Sequence, residues 1–136
     1  MSSPNPRPLS PHLTIWKWGP GMTVSILHRL TGGALTVAGL AILSWWLAAI
    51  ASGDEAYAKF ASFINFEWSG IPWVIVALSL LTWAFFQHLF SGLRHLVLDT
   101  GAGYELKVNK FWAIMTIPAS ALAAAASLYL IMGVGQ

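Results

Sequence analysis

The run QHLFSGLRHLVLD places His88, Ser91, Gly92, Arg94, His95 and Asp99 at the end of an otherwise apolar stretch. An imidazole in apolar surroundings has three uses: it bonds a polar group on a neighbouring helix, relays protons, or ligates a metal. His88, Ser91, Gly92, His95 and Asp99 follow at i, i+3, i+4, i+7 and i+11, which is one stripe of a helix. An earlier run, SILHRLTG, gives a comparable stripe of Ser25, His28, Arg29 and Gly32. A neutral imidazole with a glycine one turn along its own face suits a haem, because the glycine leaves room for a flat macrocycle and the imidazole offers a nitrogen to iron. His88 is the candidate iron ligand. His28, Arg29, Arg94 and His95 lie at the depth that the anionic propionates of such a haem would reach. His88 and His95 are separated by about 10 Å along a helix at 1.5 Å per residue, and His28 lies too near the start of its run to oppose His88. A six-coordinate iron therefore needs a ligand from another chain.

The elements that carry these residues are set by composition. Of 136 residues, 57% are hydrophobic and 9% charged, with eight tryptophans and no cysteine. A soluble domain carries about 25% charged residues, so the chain reads as one all-α membrane domain spanning 1–136. Without cysteine, neither disulfides, thiolate metal sites nor cysteine nucleophiles are available. Three stretches reach the roughly 20 apolar residues that a membrane helix needs, and they predict spans at about 23–51, 68–98 and 111–134. The apolar runs are continuous, whereas strands of a membrane barrel alternate. Two short polar connectors separate the spans.

Residues 1–22 are polar, with prolines at 4, 6, 8 and 11. No apolar core precedes residue 22, which argues against a cleavable signal sequence and for a chain that starts near Met1. Clustered prolines exclude a helix and favour an extended strip, either loose or docked on a partner. Six of the seven Lys and Arg residues (Arg7, Lys17, Arg29, Arg94, Lys107 and Lys110) fall on one side of a three-span layout, and only Lys59 on the other. Positive charge is retained inside, so the N-terminus is expected in the cytoplasm or matrix and the C-terminus outside. Trp16, Trp18, Trp68, Trp73 and Trp112 fall near the expected interfaces, as an aromatic belt does.

Taken singly, these residues also have plainer readings. An intramembrane histidine often bonds a serine or carbonyl on the next helix. Arg94 and His95 suit interface anchors, Ser25 a helix cap, and Gly32, Gly33 and Gly39 helix packing. The small-residue run ASALAAAA suits a packing face, and Pro118 a kink. A non-redox membrane assembly protein, or a small transporter with His88 as proton relay, would use the same groups. Unpaired polar groups facing lipid cost several kcal/mol, so both stripes must face each other, a partner or a cofactor. Their convergence at one depth favours the haem.

The ordered motifs RPLSPHLTIW (Arg7 to Trp16), SILHRLTG (Ser25 to Gly32) and HLFSGLRHLVLD (His88 to Asp99) resemble the cytochrome b membrane-anchor subunit of succinate dehydrogenase, respiratory complex II. The resemblance covers essentially the whole chain and is nearer the mitochondrial and related bacterial form. It implies a subunit that is not catalytic alone, in a bacterial cytoplasmic or mitochondrial inner membrane. Its partners would be a flavoprotein subunit, an iron-sulfur subunit and a small membrane-anchor subunit. Electrons from succinate would pass through the first two to ubiquinone. By the same resemblance Ser25 and Arg29 belong to the quinone pocket, and His88 is an axial ligand of haem b, shared with the small anchor. His28 lies by a propionate, His95 near the haem, and the N-terminal strip with His12 docks on the iron-sulfur subunit. The anchor of a related fumarate reductase is the nearest alternative.

Overall fold

The computed structural model describes residues 15–134. They form four helices: α1 (Pro20–Ala51), α2 (Asp54–Ile64), α3 (Trp73–Asp99) and α4 (Leu106–Val134). Among the described residues there is no strand, only an isolated bridge between Trp68 and Ile71. Helices α1, α3 and α4 are long and apolar enough to cross a membrane, and they pack against one another with α3 touching both others. The protein is an all-α, three-span membrane protein.

Residues 1–14 lie outside the described part, so the extended strip and His12 are not described. Extension does not reach residue 22. Pro20 opens α1 at its first turn, where its missing N–H costs nothing and its fixed φ suits the helix. The Gly19 carbonyl accepts the Met22 and Thr23 amides at 3.1 and 3.2 Å. At 32 residues, α1 is about 48 Å long at 1.5 Å per residue, more than the roughly 30 Å hydrocarbon core. Part of it must therefore extend beyond that core. Midway it relaxes into a π-helical turn, Leu35–Gly39, whose last residue, Gly39, lies against Leu81 of α3.

The second span starts at Trp73 rather than near 68. Ser69 and Gly70 both take positive φ (56° and 74°), as a tight turn closed by reciprocal Trp68–Ile71 bonds of 3.1 Å requires. The first connector also contains a helix that the composition hides. In α2, Phe60 is buried, its ring 5.3 Å from that of Trp45 on α1, and Phe63 packs on the same indole at 4.9 Å. Asp54 and Glu55 occupy its first turn, where the helix dipole favours negative charge. With one apolar and one charged face, α2 has the pattern of an interfacial helix.

Packing is inverted relative to a soluble protein. Besides Val24 and Phe60, the interior holds small or polar residues: Ala49, Ala84, Ala113, Ala124, Thr31, Gln87, Ser91, Thr116 and Ser120. Large apolar side chains such as Val37, Leu122, Tyr129 and Ile131 are 70–78% exposed. Lipid is as apolar as leucine, so span association relies on close backbone approach and interhelical hydrogen bonds. Gln87 and Ser120, both with no exposed surface, supply such a bond. The Ser120 hydroxyl donates to Gln87 Oε1 at 2.7 Å, and Gln87 Nε2 donates to Thr116 at 3.4 Å.

The ends of the spans sort the charges. Arg94 near the end of α3 donates to Asn109 in the first turns of α4. Trp18, Gly19, Pro20, Thr23 and Val24 share a cavity with Ile114 and Ile117, and His28 meets His88 and His95. The start of α1, the end of α3 and the start of α4 therefore lie together, bringing Lys17, Arg29, Arg94, Lys107 and Lys110 to one end.

Candidate functional site

The two polar stripes face each other. His28 on α1 and His88 on α3 stack with ring centroids 3.9 Å apart and planes 7° from parallel. The His95 ring stands 5.3 Å from that of His28, edge to face. Ser91, one turn from His88, is fully buried with its hydroxyl unpartnered, and His28 Nδ1 is likewise buried and unpartnered among the described residues. Asp99, the last residue of the stripe, is exposed.

One contact fixes the chemistry of His88. Its Nδ1 lies 3.0 Å from the His28 backbone carbonyl oxygen. A carbonyl only accepts, so Nδ1 carries the hydrogen and Nε2 keeps its in-plane lone pair. Thr31, which the sequence reading passed over, stands 3.4 Å from the same Nδ1. Its own hydroxyl donates to the Leu27 carbonyl at 2.7 Å, which leaves oxygen lone pairs toward the imidazole. Among the described residues no group pairs with His88 Nε2. A metal-bound histidine is held in the same way, with one nitrogen tied to a carbonyl and the other free for the metal. The residues present therefore fit a haem. Stacking by His28 covers the ring face, and the in-plane lone pair points at right angles to that contact.

The two glycines differ in what they face. A Cβ on Gly92 would meet His28 Cε1 at 3.7 Å, an ordinary contact. Gly32 is the tight position: a Cβ there would come within 2.8 Å of His88 Cε1.

Ser25 is half-buried and Arg29 exposed, on the turns of α1 before Thr31. They share the end of the bundle with the imidazoles. Among the described residues neither bonds another side chain. Arg94 faces the other way, toward Asn109. It closes the end of an apolar groove of about 430 Å³ between α3 and α4, which Phe90, Leu93, Val97, Trp112 and Met115 help to line. At about 100° per residue that face of α3 is turned away from His88, so Arg94 does not join the histidine site. Sequence reasoning also missed Gln87, although an amide in an uncharged span was the available signal.

A family model described as succinate dehydrogenase/fumarate reductase transmembrane subunit matches residues 3–128. The chain is 42% identical over 113 residues to a succinate dehydrogenase cytochrome b556 subunit of Rickettsia bellii, covering 82% of this chain and 83% of that one. To the protein of the same name in Paracoccus denitrificans it is 41% identical over 101 residues, 74% of this chain and 73% of that one. A mitochondrial cytochrome b560 subunit of Mus musculus shares 33% identity over 106 residues, 78% of this chain and 59% of the mouse protein. With its three spans and with relatives in bacteria and mitochondria, the chain is a multi-pass inner-membrane protein. It belongs to the family of succinate dehydrogenase cytochrome b membrane subunits.

Proposed function

We propose that this chain is the larger membrane anchor of a succinate:ubiquinone oxidoreductase, that His88 Nε2 is an axial ligand of haem b, and that Ser25 and Arg29 help form the ubiquinone site. The observation that carries the ligand role is the Nδ1 contact to the His28 carbonyl. It selects the tautomer whose free nitrogen is Nε2. Bound there, a haem b would accept and return single electrons. His28 and His95, at the same end of the bundle, stand where anionic propionates would meet ring N–H donors. The second axial ligand comes from a small membrane-anchor subunit.

Ser25 and Arg29 lie one turn apart on α1 at the cation-rich end, where an iron-sulfur subunit fed by a flavoprotein subunit would deliver electrons. A hydroxyl beside a guanidinium suits a quinone carbonyl oxygen that gains negative charge on reduction. The cations of α1, α3 and α4 gathered at that end support an N-terminus in the cytoplasm or matrix. The named relatives favour succinate oxidation over fumarate reduction as the physiological direction.

The test is His88→Ala in the purified complex. Loss or displacement of the reduced b-type absorption is expected, with weakened subunit assembly because a haem shared between chains ties them together. An unchanged spectrum and reduction potential would refute the ligand role. A colourless wild-type complex would instead indicate a non-redox assembly protein.

A further inference from the structure

We propose that Gly32, with the His28 carbonyl and Thr31, forms the seat of the His88 imidazole, and that this seat fixes both where the ring stands and how strongly it donates to iron. The inference rests on His88 being the haem ligand. It concerns positioning residues on α1, the helix that does not carry the ligand.

The geometry at Gly32 is specific. A Cβ built there lies 2.8 Å from His88 Cε1, 3.2 Å from Nδ1 and 3.7 Å from Nε2. These three atoms form the coordinating edge of the imidazole. The edge is no flexible tail that swings aside, because Nδ1 is held at 3.0 Å by the His28 carbonyl one turn earlier on α1. Any side chain at 32 must therefore move the ring or part the helices. Gly33, the next residue, would meet nothing within 4 Å. Two adjacent glycines of one helix thus differ only in what faces them.

Helix propensity sharpens the contrast. Replacing a mid-helix glycine by alanine favours the helix, so damage at 32 appears against an intrinsic gain that 33 shares. The electronic part of the seat is separate from its shape. An acceptor on Nδ1–H raises the basicity of the imidazole toward a metal. The His28 carbonyl is the main acceptor. The Thr31 oxygen at 3.4 Å is the second, its own proton being shared between the Leu27 carbonyl at 2.7 Å and the His28 carbonyl at 3.1 Å. A more basic ligand favours ferric over ferrous iron, so removing an acceptor raises the potential.

The experiment compares Gly32→Ala, Gly33→Ala, Thr31→Val, Thr31→Ser and His88→Ala in the assembled complex, reading haem content, the reduced absorption band, the ferric electron paramagnetic resonance signal and the haem potential. Gly32→Ala should lower haem content severalfold or shift band and resonance together, while Gly33→Ala matches wild type. Thr31→Val, which removes the hydroxyl without adding bulk, should keep the haem and shift its potential, and Thr31→Ser should restore it. The valine–serine pair carries the test should Gly32→Ala fail to assemble. If His88→Ala removes the haem signal while Gly32→Ala and Thr31→Val behave as wild type, the seat is wrong and the ligand assignment stands. If His88→Ala leaves every signal unchanged, the ligand assignment falls and the seat with it.

Discussion

The Gln87 tie between α3 and α4 allows a magnitude to be worked from the structure. Gln87→Leu keeps approximate volume and removes two interhelical bonds, the 2.7 Å bond from Ser120 and the 3.4 Å bond to Thr116. Neither hydroxyl is then orphaned. Ser120 also reaches the Ile117 carbonyl and Thr116 the Ala113 carbonyl, both at 2.8 Å. The loss is therefore two membrane hydrogen bonds without a desolvation penalty. Such bonds average about 0.6 kcal/mol and reach about 1.7, and the longer one lies at the weak end of the range. Gln87→Leu should cost about 1–2 kcal/mol, a factor of about 5–30 in the unfolding equilibrium. Gln87→Ala should cost more, because it also opens a cavity at a position with no exposed surface. Titration of the purified complex with a denaturing detergent measures both, and a double-mutant cycle with Ser120→Ala isolates the pair. A loss above about 4 kcal/mol for the leucine variant, or a coupling of zero, would refute this reasoning.

Other expectations follow from the same geometry. The chain has no native cysteine, so single cysteines at the exposed positions Ser62 and Ala102 should label from opposite membrane faces with an impermeant reagent, and labelling from one face would sink the orientation. Succinate oxidation with a soluble dye should survive Ser25→Ala and Arg29→Ala, while oxidation with ubiquinone falls. A neutral hydrogen bond is worth about 0.5–1.5 kcal/mol and one to a charged group about 1.5–3, so at tenfold per 1.4 kcal/mol the serine variant should lose up to about tenfold and the arginine variant about 10- to 100-fold. Parallel loss of both activities would make these residues structural. Gly70→Ala, at φ 74°, should loosen the turn before α3 by about 1–2 kcal/mol, seen as a lower thermal midpoint of the complex.

The spans were legible because lipid demands long apolar runs, and the opposed histidine stripes because polar groups must turn away from lipid. What escaped depends on distances between elements. Gln87 carries no charge, and its pairing with Ser120 requires the rotational setting of α4. Gly32 is one glycine among several until α1 comes close enough to α3 for His88 to rest on its backbone. Gly92 has the spacing for a macrocycle, but that a Cβ there would lie 3.7 Å from His28 Cε1 depends on the setting of α1 against α3. The turn at Ser69 depends on a serine in a left-handed conformation, which residue type argues against. Helix α2 was hidden in a polar connector, although Ala56, Phe60, Phe63 and Ile64 follow helical spacing.

The stacked imidazoles bear on where a second iron ligand can come from. An imidazole donates through a lone pair in its ring plane. The His28 and His88 planes are 7° from parallel and their centroids 3.9 Å apart, so lines drawn in the two planes run side by side and do not meet at one atom between the rings. These two histidines cannot both bind one iron in this arrangement. His28 is already used against His88 in another way, its carbonyl holding Nδ1 and its ring covering one face. His95 stands edge-on to His28, two turns along α3 from His88. About 10 Å of helix rise separates the two, so they cannot approach one metal from opposite sides. Among the described residues this exhausts the histidines, and the only other one, His12, precedes the first span. A six-coordinate iron held through Nε2 of His88 would therefore need its second ligand from another chain, and such a haem would join subunits as well as carry electrons.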